Sequence, residues 1–362
     1  MRPPFCGTIL HLVVSLGAAA ALAGTLAEPL AAQGCEPIRL NAGSFGGTGG
    51  SIQKAGEWRL SLGYRHLYSD QFFVGTQNRP QDGPGHQSTV IELHSFVADL
   101  GYSVTDRLTV RLAAPFSTGK VGRVWPDHAW HNQTASGIGD MTLTADSWVL
   151  DPSTHLGANF SFGLGIQAPT GRHDVGSQFY LASGPVAFPA DMAVEPGSGG
   201  WGFTVQTRGF AKLFERGFGY WSGSYTFAPE ATTDILNAPP PKGFLWAVAD
   251  GYAGRLGLSY ALLPTGGLSL SLGGRIDGTP VRDVFGAGAE AFRRPGYVIY
   301  AEPGISLSRG SNTLSLSVPW RLRANRIRSI LERTNPLFDP LTVPVGGGFA
   351  KSLIFFSYAR RL

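Results

Sequence analysis

"FVADLGYSVTDRLTVRLAAPF", residues 96–116, contains two runs in which apolar and polar side chains alternate with a period of two. Phe96, Ala98, Leu100, Tyr102 and Val104 oppose Ser95, Asp99, Gly101 and Ser103. After the turn Thr105-Asp106, Leu108, Val110, Leu112, Ala114 and Phe116 oppose Arg107, Thr109 and Arg111. Successive side chains of an extended chain point to opposite faces, so each run makes a strand with one apolar and one wet face.

The same dyad recurs outward from this hairpin. Trp58, Leu60, Leu62 and Tyr64 alternate with Arg59, Ser61, Gly63 and Arg65; Phe160 to Ile166 and Leu256 to Tyr260 behave alike, as do Leu268 to Ile276 and Leu314 to Leu322. Segments near 140–148, 201–213, 217–228, 295–308 and 348–362 complete a count of about twelve strands. In these, Trp148, Phe210 and Phe355 fall on the wrong parity. Connection lengths choose the architecture. Short turns near 105–106, 151–154, 214–217, 263–267 and 309–312 alternate with long Gly/Pro-rich connections near 69–88, 117–137, 169–199, 229–248, 278–293 and 324–347. Short periplasmic turns alternating with long extracellular loops characterise outer-membrane barrels, and a soluble sandwich has no reason for such alternation. The expected fold class is all-β: a transmembrane antiparallel up-and-down β-barrel of about twelve strands.

Composition agrees. Only 15% of the 362 residues are charged, against about a quarter in soluble domains, and 50 are glycine without a collagen period. Beyond the first thirty-odd residues no apolar run of about eighteen residues exists, which excludes a helical membrane protein. Residues 1–32 have the form of an export signal: Arg2, an apolar stretch from Ile9 to Ala23, then small residues, with cleavage expected after Ala32. That segment holds one basic residue, Arg2, and one acidic residue, Glu28, so the remainder keeps the net charge of +4. Cys6 leaves with it, and the lone Cys35 forms no intrachain disulfide; Cys35 is also a candidate lipidation site, although Gln33 fits such a signal poorly. The chain therefore divides into a signal peptide (1–32), a periplasmic N-terminal segment (33–55) and an outer-membrane barrel (56–362).

With the apolar faces outward against lipid, the polar faces line a lumen. The candidate lumen residues are Arg59, Arg65, Asp99, Arg111, Asp140, Asp146, Arg208, Arg255, Arg275, Glu302, Arg321 and Arg323; Arg107, Lys212 and Asp277 share those faces. Their cationic excess either favours anions in a pore or forms ion-pair ladders that fill a narrow interior. Asp140, after two glycines in "GIGD", reads equally as a turn residue beginning a strand. The final strand, with Ile354, Phe356, Tyr358 and Leu362 alternating, resembles the signal read by the barrel-assembly machinery, although Leu362 replaces the usual terminal Phe. Outer-membrane lipid, that machinery and a small solute of unknown identity are the expected partners; nucleic acid is not expected.

Four phrases, "GYSVTDRLTVRLAAPF" at 101–116, "GIGDMTLTADSW" at 137–148, "GIQAPTGRHD" at 165–174 and "GSGGWGFTVQ" at 197–206, resemble in their order a family of outer-membrane transporters associated with the meta-pathway of phenol degradation. The resemblance covers about the first half of the chain after the signal. It implies a channel more than a particular substrate; taken with the cationic lumen faces, small solutes, aromatic or anionic compounds among them, are the expected cargo.

No enzyme, cofactor or metal is expected. A barrel phospholipase needs Ser, His and Asn placed together at the membrane surface; His173 with Ser177 lacks that spacing, and His155 lies at a turn. His128 and His131 give two loop ligands, ordinarily just solvated. The G-x-G patterns lack a strand-to-helix setting for a nucleotide. Two readings remain: a channel for small solutes, and a structural or adhesive barrel acting through its long extracellular loops.

Overall fold

The structure is a computed structural model that describes residues 53–79, 89–241, 243–286, 288–338 and 345–362. The signal expected over 1–32, Cys35 and most of the segment 33–55 lie outside the described residues.

Twelve strands form one antiparallel wall: β1 (Trp58–Ser69), β2 (Val90–Ser103), β3 (Leu108–Val124), β4 (Trp130–Ile138 and Thr142–Trp148), β5 (Ala158–Gln167), β6 (Gly202–Phe214), β7 (Gly217–Phe227), β8 (Gly251–Leu263), β9 (Leu268–Thr279), β10 (Gly296–Arg309), β11 (Asn312–Ser317 and Trp320–Arg326) and β12 (Ser352–Arg361). Each pairs with its neighbours in sequence. The wall closes where β1 meets β12, from Arg59 opposite Arg361 to Tyr68 opposite Ser352. A five-residue helix, Ile330–Thr334, is the longest helix among the described residues.

The period-two pattern sets which face is which. Leu62, Phe96, Leu112, Leu272 and Leu322 are exposed, and Leu164 and Leu256 reach 68% and 69%. On the opposite parity Asp99, Asp146, Arg275 and Glu302 are buried. Water would favour the reverse arrangement. Lipid favours this one, because the outer leucines meet hydrocarbon and closure leaves no strand edge unpaired.

The structure corrects three expectations. The connection placed at 117–137 is not a long loop: β3 runs on to Val124 and pairs with the first piece of β4 up to Val124 opposite Trp130. Only 125–129 turn there, so five long connections remain, not six. Trp148, Phe210 and Phe355 are not irregularities of pattern but aromatic side chains turned into the barrel; Trp148 and Phe355 are buried, and Phe210 packs edge-on against Trp148. Arg323 is not a lumen residue. The register between β10 and β11 shifts between Ile299 opposite Arg323 and Tyr300 opposite Arg321, which inserts Leu322 as an extra residue. A bulge of this kind flips the face of the residues beyond it, so Arg323 is exposed beside the outward Ile299, while Ala324 and Arg326 turn in and are buried.

An arginine in place of the outward, mid-band Leu164 should cost about 2–4 kcal/mol of stability in a bilayer. Urea titration of the L164R variant folded in vesicles measures this, and unchanged stability would place that face inside.

Candidate functional site

Inside the wall, charge is arranged in three ways. In the first, arginines grip carboxylates. Arg111 donates to Asp146 from Nη2 at 2.7 Å and Nε at 3.0 Å, and Gln206 donates to the other oxygen of Asp146. Arg255 holds Glu302 in a two-pronged fork, at 2.7 and 2.8 Å, which Ser317 completes at 3.0 Å. Arg275 donates to Asp277 at 2.7 Å, both side chains being buried. Such pairs offset charges that would otherwise be costly inside a narrow cylinder, although Arg275 Nη2 and Asp277 Oδ1 stay without a hydrogen bond.

In the second arrangement, cations lie on aromatic rings. The Arg208 guanidinium sits 5.4 Å from the centre of Trp148, Arg275 lies 4.6 Å from Phe355, and Arg321 lies 4.5 Å from Phe73. Arg321 also donates to Gln71 and to the Phe349 carbonyl.

In the third, charges face one another without contact, Arg59 and Arg208 lying within electrostatic reach of Asp99. Among the described residues, Arg59 and Arg208 form no ion pair with a carboxylate; Arg208 donates only to Ser161, at 3.2 Å. Asp99 is buried, with Oδ2 lacking a hydrogen-bond partner. Arg65, by contrast, is partnered, donating to Ser95 among others. Arg59, Arg65, Asp99, Arg111, Arg208 and Arg255 all line one cavity of about 370 Å³, beside Trp148, Phe210, Tyr220 and Phe355. Arg107 and Lys212, also read as inward, are exposed at the short-turn end.

The long-loop end is filled by a segment that sequence reading missed. After the hairpin Gly176–Leu181 and Gly184–Pro189, residues 190–196 are all buried. Val194, Ala193 and Ala190 pack on Ile91, Val121 and Ala135, inward residues of β2, β3 and β4. Met192 packs with Trp246 and Phe292 across the mouth. Asp191 binds the Arg294 fork at 2.7 and 2.8 Å, with Arg123 at 3.8 Å.

Asp140 anchors this segment. It lies in the 139–141 break of β4, fully buried. One oxygen accepts from the Gly171 amide at 2.9 Å. The other accepts from Ser198 Oγ at 2.6 Å, the Ser198 amide at 3.0 Å and Gln167 at 3.0 Å. It therefore ties the wall to both ends of the connection after β5, a role neither sequence reading assigned it. A β-carbon on Gly197 would strike the Gly171 carbonyl, so the two strands of this tie approach as only glycine permits. The only sequence signals for the filled interior were the misplaced aromatics and the small-residue run after Pro189.

Among the described residues, the loop histidines weighed above have other partners. His173 bonds Asp234 at 2.8 Å, not Ser177, and His131 bonds Asp127 at 2.7 Å while stacking on Tyr180 at 3.7 Å.

Two carboxyls of the inward segment titrate in opposite senses. Burial pushes Asp191 up, but the Arg294 and Arg123 guanidiniums outweigh it and hold it well below the usual carboxylate range. Burial pushes Glu195 up to about 8; the Val175 amide opposes this, Asp174 reinforces it, Arg172 offsets it and Asp191 adds least. A raised carboxyl favours the docked state when protonated, so that contribution is complete below about 4.5 and is lost as pH rises through about 8. The Asp191 contribution is lost only in strong acid. Protease cleavage within residues 190–196 should thus become faster between pH 7 and pH 9, and E195Q should abolish the rise. An equal rise in E195Q would contradict this assignment.

No family model matches the chain. No curated relative matches it either. Among solved structures it is similar to an outer-membrane channel from Pseudomonas putida F1, at 16% identity over 89% of this chain and 100% of that one, with a TM-score of 0.57. A FadL homologue from Pseudomonas aeruginosa aligns at 9% identity, over 84% and 89% of the chains, with a TM-score of 0.39. The Ralstonia pickettii toluene transporter TbuX aligns at 10%, over 86% and 90%, with a TM-score of 0.41. At such identities the likeness is one of fold, and the fold is that of outer-membrane β-barrels.

Proposed function

We propose that the chain is an outer-membrane channel for small anionic solutes, aromatic ones among them. One observation carries this reading: the lumen cavity combines arginines that outnumber its carboxylates, Arg59 and Arg208 among them without a contact ion pair, with the inward rings of Trp148, Phe210 and Phe355. A cationic wall lowers the energy of an anion in a low-dielectric passage, and aromatic faces accept a flat apolar body. About 370 Å³ lies at the lower end of the range for small-molecule sites. The Pseudomonas putida F1 protein of the same fold is a channel, which agrees. The resemblance at 101–116, 137–148, 165–174 and 197–206 to transporters associated with phenol degradation supports a channel more than any one cargo. Export by the 1–32 signal and insertion by the barrel-assembly machinery through the C-terminal strand belong to the same reading. The alternative, a barrel acting through its loops, is favoured by the filled mouth at 190–196.

Reversal potentials across a bilayer with a salt gradient separate the two. The channel reading expects anion preference that moves toward non-selectivity in R59Q/R208Q and shrinks at high salt as screening grows. The R255Q/E302Q double change, which leaves lumen charge unaltered, should change heat resistance and not selectivity. Cation preference, or no conductance even after loosening the segment with D140N, would favour the loop-based role.

A further inference from the structure

Above the apolar band, at the long-loop end of the wall, the outer face of β1–β3 turns polar. His66 stands directly opposite His94, and Glu92 lies one step further along, opposite Tyr68 on β1 and Lys120 on β3. Tyr64 and Phe96, the next pair down on the same face, mark the edge of the band. All three of His66, Glu92 and His94 are half-buried. His66 Nε2 lies 3.3 Å and His94 Nε2 3.7 Å from the same carboxylate oxygen, Glu92 Oε1, and the three ligand atoms all lie within 4.8 Å of one another.

We propose that His66, Glu92 and His94 bind one divalent d-block metal ion, zinc foremost, on the outer wall of the barrel. The donor set selects the class. Two imidazoles and one carboxylate suit Zn²⁺, Ni²⁺ or Cu²⁺, whereas Mg²⁺ and Ca²⁺ require oxygen ligands throughout. The spacing fits as well. Ligand bonds of about 2.0–2.1 Å in a tetrahedral shell separate donors by roughly 3.3 Å, and the two measured separations are 3.3 and 3.7 Å. Closing the set needs only small side-chain rotations, because the rings already lie stacked with centroids 4.7 Å apart.

The surrounding groups orient the ligands. Tyr64 Oη lies 2.9 Å from His94 Nδ1, so hydrogen bonding at that nitrogen leaves Nε2 facing the carboxylate. A partner on the second ring nitrogen is the usual companion of a metal-binding imidazole. Lys120 Nζ lies 2.7 Å from Glu92 Oε2, which occupies the other carboxylate oxygen and leaves Oε1 to the histidines. Three protein ligands leave a fourth position open outward, toward the layer of lipid head groups. Bound there, the ion cross-links β1 to β2 beside the β1–β12 closure.

The test uses the mature chain refolded in detergent, with zinc chloride as the probe. Calorimetry should give one saturable zinc per chain and a higher temperature for loss of the folded band on gels. E92Q and H66A/H94A should fold as the wild type does, judged by the same gels without zinc. Both should lose at least about tenfold in affinity and the heat-resistance gain, and Y64F should weaken binding by about tenfold. Cobalt(II) in place of zinc should give the visible absorption of a four-coordinate centre, lost in H66A/H94A. Binding that persists unchanged in H66A/H94A, no saturable binding in the wild type, or equal competition by calcium would overturn the proposal.

Discussion

Hydrocarbon offers no partner for a peptide N–H or C=O, and every other feature of this molecule derives from that. A spanning sheet must pair all its strands, so the first must find the last. The β1–β12 ladder from Arg59 to Tyr68 is therefore the contact on which the wall depends. Once the cylinder is closed, period-two alternation sorts side chains by solvent, and Leu164 and Leu256 are held outside as firmly as Asp146 and Glu302 are held within.

Closure also creates the problem that the lumen solves. A twelve-strand cylinder encloses a narrow polar space in which isolated charges are costly. Forks such as Arg255–Glu302 and Arg111–Asp146 meet that cost by pairing, and Arg275 adds the face of Phe355 to its bond with Asp277. The cavity that remains is where cations outnumber their partners. At the long-loop end the 190–196 segment crosses the mouth over this cavity, tied by Asp140 to the broken strand β4 and by Asp191 to Arg294. The strand break and the tie are one device: the carboxylate exposed by interrupting the ladder is the group that receives the loop.

Much of the wall was legible in sequence because the lipid constraint acts residue by residue. Each strand had to alternate, and the turns had to be short at one end. Legibility failed where tertiary contacts override the local pattern. The 117–137 stretch, rich in glycine and small polar residues, looks like a loop, yet pairing between β3 and β4 carries it as an extended hairpin. Arg323 has the spacing of an inward residue, but a single inserted residue at Leu322 reverses its face. Trp148 and Phe355 look like errors of alternation because arginines, not lipid, are their partners. Of the candidate lumen residues, Arg59, Arg111 and Arg255 could be placed from parity alone; which were paired could not, because Glu302 meets Arg255 across two strands, 47 residues away in sequence. The inward segment left almost no local mark, since its burial depends on residues as distant as Arg294.

One face of each strand meets lipid and the other an aqueous lumen, and β2 reports this most cleanly. Spin labels placed singly at residues 95 to 102 in a cysteine-free background measure it directly, through collision with oxygen, which concentrates in lipid, and with a water-soluble nickel chelate. Strict alternation is the expected result: Phe96, Ala98, Leu100 and Tyr102 positions favouring oxygen, Ser95, Val97, Asp99 and Gly101 positions favouring or excluding the chelate as the lumen admits it, and never the reverse. Uniform accessibility along the strand, or oxygen preference at Asp99 rather than Leu100, would contradict a lipid-facing barrel wall.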